Sequence, residues 1–337
     1  MLDWKYWSER ALHRLFNTRF IPSIHFCVTC DHHVQPNHVK KRPEHRIVSF
    51  GWRYRKPDPR NYSIRKLIKF RKKLPSKFDL RDEGLTAPVM DQGNEGSCTG
   101  AAYYAMKAHE KVGGTYPDRG VSPRHIYNAA RAMEGNLHGE GAYPEDLMKY
   151  GKETGVCTWR TWPYLAGVDK EKWPPPDKAL EEAPNYKIEW YADLVQTGED
   201  VIENIKQSLV VMKGSVYMGT AWPKSWLSPE GGILPVPHEN EEIVGYHAWV
   251  IIGFVDSQSI FTAQNSWGKL WRDRGFFKFF YDTFRWFAKH GYNAFKVKDA
   301  ESPEPEPPRP KPDPLNRFLR ELIEWLQEKL KELESRK

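Results

Sequence analysis

The stretch PVMDQGNEGSCTGAAYYAM, residues 88–106, decides the architecture of this chain of 337 residues. Gly93 and Gly96 interrupt a polar loop, and an apolar run begins directly after Cys98. Alanines and aromatic residues follow at helical spacing, so we expect the loop to deliver Cys98 to the first turn of a buried helix. The positive end of a helix dipole lowers the pKa of a thiol in that place and favours the reactive thiolate.

Four further residues are suited to cleaving an amide with that thiolate. Gln92 lies in the same loop, where its side-chain amide can donate to an oxyanion beside the backbone N–H of Cys98. His247 opens the β-rich run GYHAWVIIGF, and a rigid strand positions an imidazole well as a general base. Asn265, in AQNSWGKLW, can accept from one imidazole nitrogen and fix the ring's orientation. Trp267 follows closely enough to shield that hydrogen bond from water, which strengthens it.

The predicted elements change character along the chain. Helical patterns dominate from Thr99 to about Lys152, in AAYYAMKAHEKV, SPRHIYNAARAM and YPEDLMKYGKE. Short β-rich runs such as GSVYMG, HAWVIIGFV and GFFKFFY dominate from Tyr186 onward. Helices followed by strands predict an α+β fold with two lobes rather than a parallel α/β sheet.

The motifs DQGNEGSC, GYHA and NSWG, in this order, resemble those of the papain-like cysteine peptidases, in particular their disulfide-poor bacterial-type members. SPRHIYNAAR (122–131), GAYP (141–144) and GWRYRKPDPRNY (51–62) add to the resemblance, which covers about residues 50–298. It implies a helical left lobe, a β-barrel-like right lobe and an active-site cleft between them.

The resemblance also implies a reaction and a set of residues. Peptide bonds are expected to be hydrolysed through an acyl-enzyme, with no cofactor and no metal, on protein or peptide substrates. A transpeptidase or other acyl transferase would use the same site, and a binding or assembly protein that retains the fold is the alternative from another class. The implied catalytic residues are Cys98, His247, Asn265 and Gln92, and the implied substrate-binding residues are Gly141, Ala142, Ala248 and Trp267.

Four positions depart from the family pattern. Glu95 stands where many secreted members have a disulfide cysteine, and Thr99 replaces the aromatic residue that usually follows the nucleophile. Tyr246 replaces a small or acidic residue before the histidine, and Ala142 replaces a second glycine in the substrate loop. Because the nucleophile, base, orienting amide and oxyanion donor are all present, these departures predict altered specificity more than lost activity.

Cysteine content and hydropathy bear on location. Four cysteines are few for this length, which predicts no disulfide framework and fits a reducing compartment. No apolar run approaches 18 residues, and residues 1–26 contain no uninterrupted apolar signal segment, so neither a membrane helix nor a signal peptide is expected. We therefore expect a cytoplasmic protein without membrane association.

Four regions separate by composition: a basic extension (1–73), the peptidase domain (74–298), a Pro-rich linker (299–314) and an amphipathic helix (315–337). The extension has 18 Lys and Arg against 5 Asp and Glu, whereas the rest of the chain is mildly acidic. We favour an inhibitory or stabilising arm that packs on the acidic body, over contact with nucleic acid or an anionic surface, or a solvated segment. The stretch SIRKLIKFRKKL (63–74) is a candidate basic amphipathic helix.

The C-terminal segments predict a tethered helix. Seven prolines exclude helix and sheet from the linker and favour a polyproline II spacer, which at about 3.1 Å per residue spans roughly 50 Å. Apolar residues recur in steps of three and four over 315–337, which predicts one apolar helix face. That face docks on its own body or, as we favour, on a second copy or another protein.

The run CVTCDHHVQPNH (27–38) contains two cysteines and three histidines. Such side chains can bind zinc, but one CxxC without a second half is a weak signal, and a plain thiol-containing loop is the favoured interpretation. Cys157 is expected to be an inert core thiol.

Overall fold

The computed structural model describes residues 49–107, 120–227 and 232–300. Their seven α-helices are α1 Ile64–Leu67, α2 Cys98–Lys107, α3 Pro123–Met133, α4 Pro144–Glu153, α5 Asp177–Glu182, α6 Val201–Met212 and α7 Thr283–His290. Their nine strands are β1 Tyr62–Ser63, β2 Lys77–Asp79, β3 Ile188–Asp193, β4 Val216–Pro223, β5 Ile233–Leu234, β6 Ile243–Val255, β7 Ile260–Gln264, β8 Phe276–Phe280 and β9 Tyr292–Asp299.

Helices α2, α3 and α4 form the helical part, as the sequence predicts. Ser122 caps α3 by accepting from the backbone N–H of His125, and Pro123 occupies the first turn, where its missing N–H costs nothing. Helix α4 likewise starts at Pro144, with acidic side chains in its first turn that favour the helix dipole. Helix α2 is buried along its whole length, and its small alanine side chains allow close packing against α3 and β6.

The strands form one sheet in the order β1-β3-β9-β4-β6-β7-β8-β5, and β2 adds to β6. Most neighbours are antiparallel, while β1 pairs β3 and β5 pairs β8 in parallel. The 13-residue β6 lies at its centre, and its register with β4 sets His247 opposite Thr220 and Ala248 opposite Gly219. Helix α2 packs against β6, which brings Cys98 to the strand that carries His247. The predicted α+β class is confirmed.

Residues 49–73 pack on the body, and Trp52 and Ile64 belong to the same hydrophobic core as the helices and the sheet. The helix predicted over 63–74 is wrong, because only α1 is helical there. Gln207 explains the break, since its side-chain amide accepts from Arg71 N (2.9 Å) and donates to Arg71 O (2.8 Å). Both backbone groups are thus taken from a helical ladder.

Other predictions fall partly or wholly outside the described residues. The zinc candidate at 27–38, the linker from residue 301 and the helix over 315–337 lie there, and the proposed domain boundaries stay predictions. Within the described ranges, no helix is long and apolar enough to cross a membrane. No group of three His, Cys, Asp or Glu side chains in those ranges is arranged to hold a metal ion.

Candidate active site

The loop before α2 fixes Cys98 as the helix's first residue, where the side chain is fully buried. Glu95 in this loop forms a buried ion pair with Arg124 of α3, including a 2.8 Å hydrogen bond to the second guanidinium nitrogen. Ser97 contacts the hydroxyl of Tyr164 at 2.5 Å, and that hydroxyl donates to Gln92 O at 2.9 Å. The ion pair thus holds the loop at Glu95, one of the positions that depart from the family pattern.

His247 and Asn265 come together as predicted. The Nε2 atom of His247 lies 2.7 Å from Oδ1 of Asn265, which also accepts from Ser266 N at 2.7 Å. The amide oxygen is therefore oriented by two donors, and it fixes the imidazole with Nδ1 on the other side. In the described part of the chain, Nδ1 has no hydrogen-bond partner. It is therefore the nitrogen left to exchange a proton with a reacting group.

Aromatic rings enclose the imidazole of His247. The ring of Trp267 lies over it with centroids 4.4 Å apart, and Trp222 meets it edge-on at 5.1 Å. Phe50 makes a further edge contact at 5.9 Å. These rings surround the imidazole beside its bond to Asn265, and a hydrogen bond shielded from water is strengthened. The shielding role of Trp267 stays a prediction.

Gln92 is oriented by Ser266, a residue that the sequence analysis did not single out. Its backbone N–H donates to Ser266 O at 2.8 Å, and its Oε1 accepts from the Ser266 hydroxyl at 2.5 Å. Because Oε1 is held, Nε2 is presented on the opposite side, where it donates to Glu95 O at 2.9 Å and to Ser49 O at 3.1 Å. The predicted oxyanion donor therefore already binds two main-chain carbonyl oxygens. Ser266 lies within the NSWG motif, which is the signal that could have found it.

The carbonyl of Ser49 belongs to residues 49–56, a segment that runs through the cleft and is here called the arm. Tyr246 O accepts from the backbone N–H groups of Gly51 and Trp52, both at 3.1 Å. Ala142 N donates to Gly51 O at 3.0 Å, and Ala142 O accepts from Arg53 N at 3.1 Å, so the two segments run parallel. A Cβ on Gly141 would lie 2.6 Å from Gly51 O, which shows how closely the arm is seated.

Three of the four predicted substrate-binding residues contact the arm, and the fourth, Ala248, lies beside Cys98. Gly141 and Ala142 flank the backbone of the arm, and Trp267 meets Phe50 edge-on at 5.9 Å. Ala248 is buried, and its backbone N–H lies against the sulfur of Cys98.

The covered site favours the neutral forms of both reacting groups. Burial raises the pKa of Cys98 to about 12, although the backbone N–H groups of Ala248 and Gly51 act in the opposite direction. Burial lowers the pKa of His247 to about 3, and its bond to Asn265 only partly offsets this. Burial of Cys98 thus opposes the lowering of its pKa that the helix dipole would produce, because a buried thiolate loses the water that stabilises it.

The backbone of the arm is engaged by the walls of the cleft on both sides of the thiol. The N–H of Gly51 donates to Tyr246 O and lies close enough to Cys98 to favour its thiolate. The carbonyl of Phe50 lies against Gly96, and that of Gly51 accepts from Ala142. A substrate backbone would have to replace these contacts.

Comparisons with known proteins agree with this geometry. Residues 74–291 match the model of the papain family cysteine proteases. An uncharacterized peptidase-like protein of Acanthamoeba polyphaga mimivirus is 31% identical over 253 residues, which are 68% of this chain and 80% of that protein. A cathepsin L-like proteinase of Phaedon cochleariae is 25% identical over 62% of this chain and 61% of its own length.

A solved structure adds the fold. The crystal structure of xylellain, a cysteine protease from Xylella fastidiosa, superposes with a TM-score of 0.63 and 27% identity. The match covers 76% of this chain and 98% of that one. The two-lobe papain-like architecture is therefore confirmed, and with it the activity of a cysteine-type peptidase. On the family match and the mimivirus relative together, the chain belongs to the papain family of cysteine proteases.

Proposed function

We propose that Cys98 is the nucleophile of this peptidase and that His247 is its base. In the open cleft, His247 takes the thiol proton and the thiolate attacks the carbonyl carbon of the scissile bond. The Nε2 amide of Gln92 and the backbone N–H of Cys98 receive the oxyanion. The imidazolium then protonates the leaving amine, and His247 next activates the water that hydrolyses the acyl-enzyme, while Asn265 keeps the ring oriented.

One observation carries this proposal: the 2.7 Å bond between His247 and Asn265, which the ring of Trp267 covers. His247 lies on β6, the strand against which the helix of Cys98 packs. A structural histidine has no need of an amide partner on one nitrogen and a buried second nitrogen without a hydrogen-bond partner in the described part of the chain. The burial of such a nitrogen costs free energy, which is consistent with a catalytic use.

The chain as folded is, in this proposal, a latent enzyme. The arm occupies the oxyanion donor, the thiol and the residues expected to bind substrate, so a substrate must displace it. This develops the inhibitory or stabilising arm that the sequence favours for residues 1–73. The mobile element is residues 49–56, because their contacts with the cleft are the ones a substrate would replace.

The test uses a thiol-directed epoxide label and a fluorogenic peptide. Gly51→Ala removes the fit between arm and cleft without changing the peptidase body, since its Cβ would lie 1.7 Å from Gly96 O. Peptide cleavage and labelling of this variant should both vanish on adding Cys98→Ala. Labelling elsewhere, or turnover above roughly 1% in the Cys98 variant, rejects the assignment of the nucleophile.

Two alternatives stay open to experiment. A transpeptidase would pass the acyl group of Cys98 to an added amine, so product analysis with and without amines separates it from a hydrolase. A binding or assembly protein would show neither turnover nor covalent labelling, even with the arm displaced.

The setting and partners are also proposals. We propose a reducing, cytoplasmic setting, supported by the small number of cysteines and by the free thiols of Cys98 and Cys157. Detection of the protein in a secreted fraction would contradict it. We further propose that the segment 315–337 binds a second copy or another protein, and deletion of 299–337 should then lower the mass by light scattering or abolish a captured partner.

A further inference from the structure

The arm presents two chemically different faces to the cleft. Successive side chains of an extended segment point to opposite sides. Trp52 and Tyr54 lie together on one side, with ring centroids 5.7 Å apart. Arg53 and Arg55 lie on the other side, each with its guanidinium carbon 4.2 Å from the ring centroid of Tyr143. The occupant of the cleft thus alternates aromatic and basic side chains.

The aromatic face fills a pocket whose floor is glycine. Trp52 is only 3% exposed, and a Cβ on Gly219 would lie 2.1 Å from its indole nitrogen. Ala248 is the register partner of Gly219, and the ring of Tyr246 covers the indole at 5.8 Å. We call Gly219, Tyr246 and Ala248 the aromatic pocket. Any larger residue at position 219 would exclude an indole, so the space is suited to a large ring.

The arginines of the arm pair with two carboxylates of the peptidase body. Arg53 donates to Glu134 at 2.5 Å, and Arg55 makes a two-pronged pair with Asp146 at 2.9 and 3.1 Å. Glu134 is held in place by Tyr143 N at 2.8 Å, and its side chain is only 5% exposed. We call Glu134, Tyr143 and Asp146 the acidic cradle.

We propose that the open cleft selects extended peptides that place a large aromatic side chain in the aromatic pocket and a neighbouring arginine or lysine in the acidic cradle. This inference rests on the proposed function, since it describes that enzyme's substrates. The direction of the peptide chain does not alter it, because alternate side chains reach opposite faces in either direction. When the arm leaves, the carboxylates of Glu134 and Asp146 beside the Tyr143 ring lose their cations, and a basic substrate restores them.

The experiment measures binding separately from cleavage. The full-length chain with Gly51→Ala and Cys98→Ala is titrated against fluorescent peptides that contain Trp-Arg, Trp-Glu or Ala-Arg at the two positions. We expect the Trp-Arg peptide to bind about tenfold more tightly than either other peptide. Adding Glu134→Gln should reduce the preference for Arg over Glu to about threefold or less. Glu189→Gln, which removes a carboxylate paired with Lys298 outside the cradle, is the matched control.

The outcomes separate the two proposals. Equal affinity for Arg and Glu peptides, or no binding of any peptide, overturns the inference, because the cradle then serves only the arm. Cleavage by the Gly51→Ala chain, with or without a preference, decides the proposed function on its own.

A charge exchange in the otherwise unaltered chain gives a second measurement if the doubly substituted chain does not fold. Arg53→Glu should speed alkylation of Cys98 at least about threefold, and Glu134→Arg in the same chain should reverse that gain. Absence of reversal would show that the cradle does not recognise charge.

Discussion

Replacing Gly51 by alanine is expected to open the cleft. The new Cβ would lie 1.7 Å from Gly96 O and 2.4 Å from Gly96 C, well inside any ordinary contact. Both atoms are backbone, so no change of rotamer relieves the overlap. Overpacking of this kind costs about 1–3 kcal/mol. A cost of that size shifts the balance between the seated and the open arm by about 5- to 150-fold.

Alkylation of Cys98 reports this shift. Burial raises the pKa of the Cys98 thiol in the covered site, so the reactive thiolate is rare there. A solvated thiol has a pKa of about 8.5 and is ionised to about one part in ten at about pH 7.5, so alkylation proceeds mainly through the open arm. The rate with iodoacetamide, followed by mass spectrometry of the Cys98 peptide, should therefore rise about 5- to 150-fold in Gly51→Ala, in proportion to the population of the open arm.

Two controls make the result specific. Lys56→Ala changes an exposed residue of the same arm and should leave the rate unchanged. Cys157 is buried in a separate cluster and should react equally slowly in all variants. If Gly51→Ala keeps the wild-type rate at Cys98 while its melting temperature is unchanged, the arm is not what shields the thiol, and the reasoning is refuted.

Three further predictions concern the site and its support. In the Gly51→Ala background, Gln92→Ala should lower kcat about 10²–10³-fold, and a normal kcat would reject its oxyanion role. Asn265→Ala should lower kcat less than Cys98→Ala does, because Asn265 orients the base rather than reacting. Glu95→Gln should lower the free energy of unfolding in urea by about 3–5 kcal/mol because it leaves Arg124 buried without its ion partner; a loss under about 1 kcal/mol, as expected for an exposed pair, would contradict this. Burial lowers the pKa of His125 to about 4, so between about pH 6.5 and pH 4 only the unfolded chain binds a proton there. The free energy of unfolding should therefore fall by up to about 1.4 kcal/mol for each pH unit below about 6.5. A substitution of His125 that leaves this pH dependence unchanged would contradict the prediction.

The sequence predicted the residues whose roles are written in local motifs. Cys98 starts a helix because a glycine-rich loop precedes an alanine-rich run. His247 and Asn265 meet because β6, which carries His247, pairs with β7, which Asn265 directly follows. The nucleophile loop, the base strand and the NSWG turn each carry their signal within a few residues. Local pattern is sufficient there because the geometry is set within one element or between two adjacent ones.

The rest depended on long-range packing. Gly219 is placed under Trp52 by the register between β4 and β6 and by a segment 167 residues earlier in the chain, which no periodicity reveals. The alternation of WRYR over 52–55 indicates an extended segment only once both flanking surfaces are known. The helix expected at 63–74 failed for a related reason: Gln207, far along the chain, captures the backbone of Arg71.

The arm and the ionisation of the catalytic pair must oppose each other. The covered site holds the Cys98 thiol and the His247 imidazole neutral, with pKa values of about 12 and about 3. Any state in which either group is charged therefore favours the open arm, by linkage. Below about pH 6.5 the open His247 binds a proton that the covered one refuses, and above about pH 8.5 the open Cys98 releases a proton that the covered one retains.

The arm should consequently sit most firmly between those two values, or over a wider range if the open thiolate and imidazolium stabilise each other. Acid also acts through Glu134, whose pKa is raised by burial, because its protonation weakens the bond from Arg53. Proteolytic nicking of the full-length chain within 49–56, measured against pH, should be slowest in that window and faster on both sides. His247→Asn should remove part of the increase in nicking below about pH 6.5 and leave the increase above about pH 8.5 in place. Nicking that rises steadily with pH across the whole range would show that the arm is not coupled to the protons of the pair.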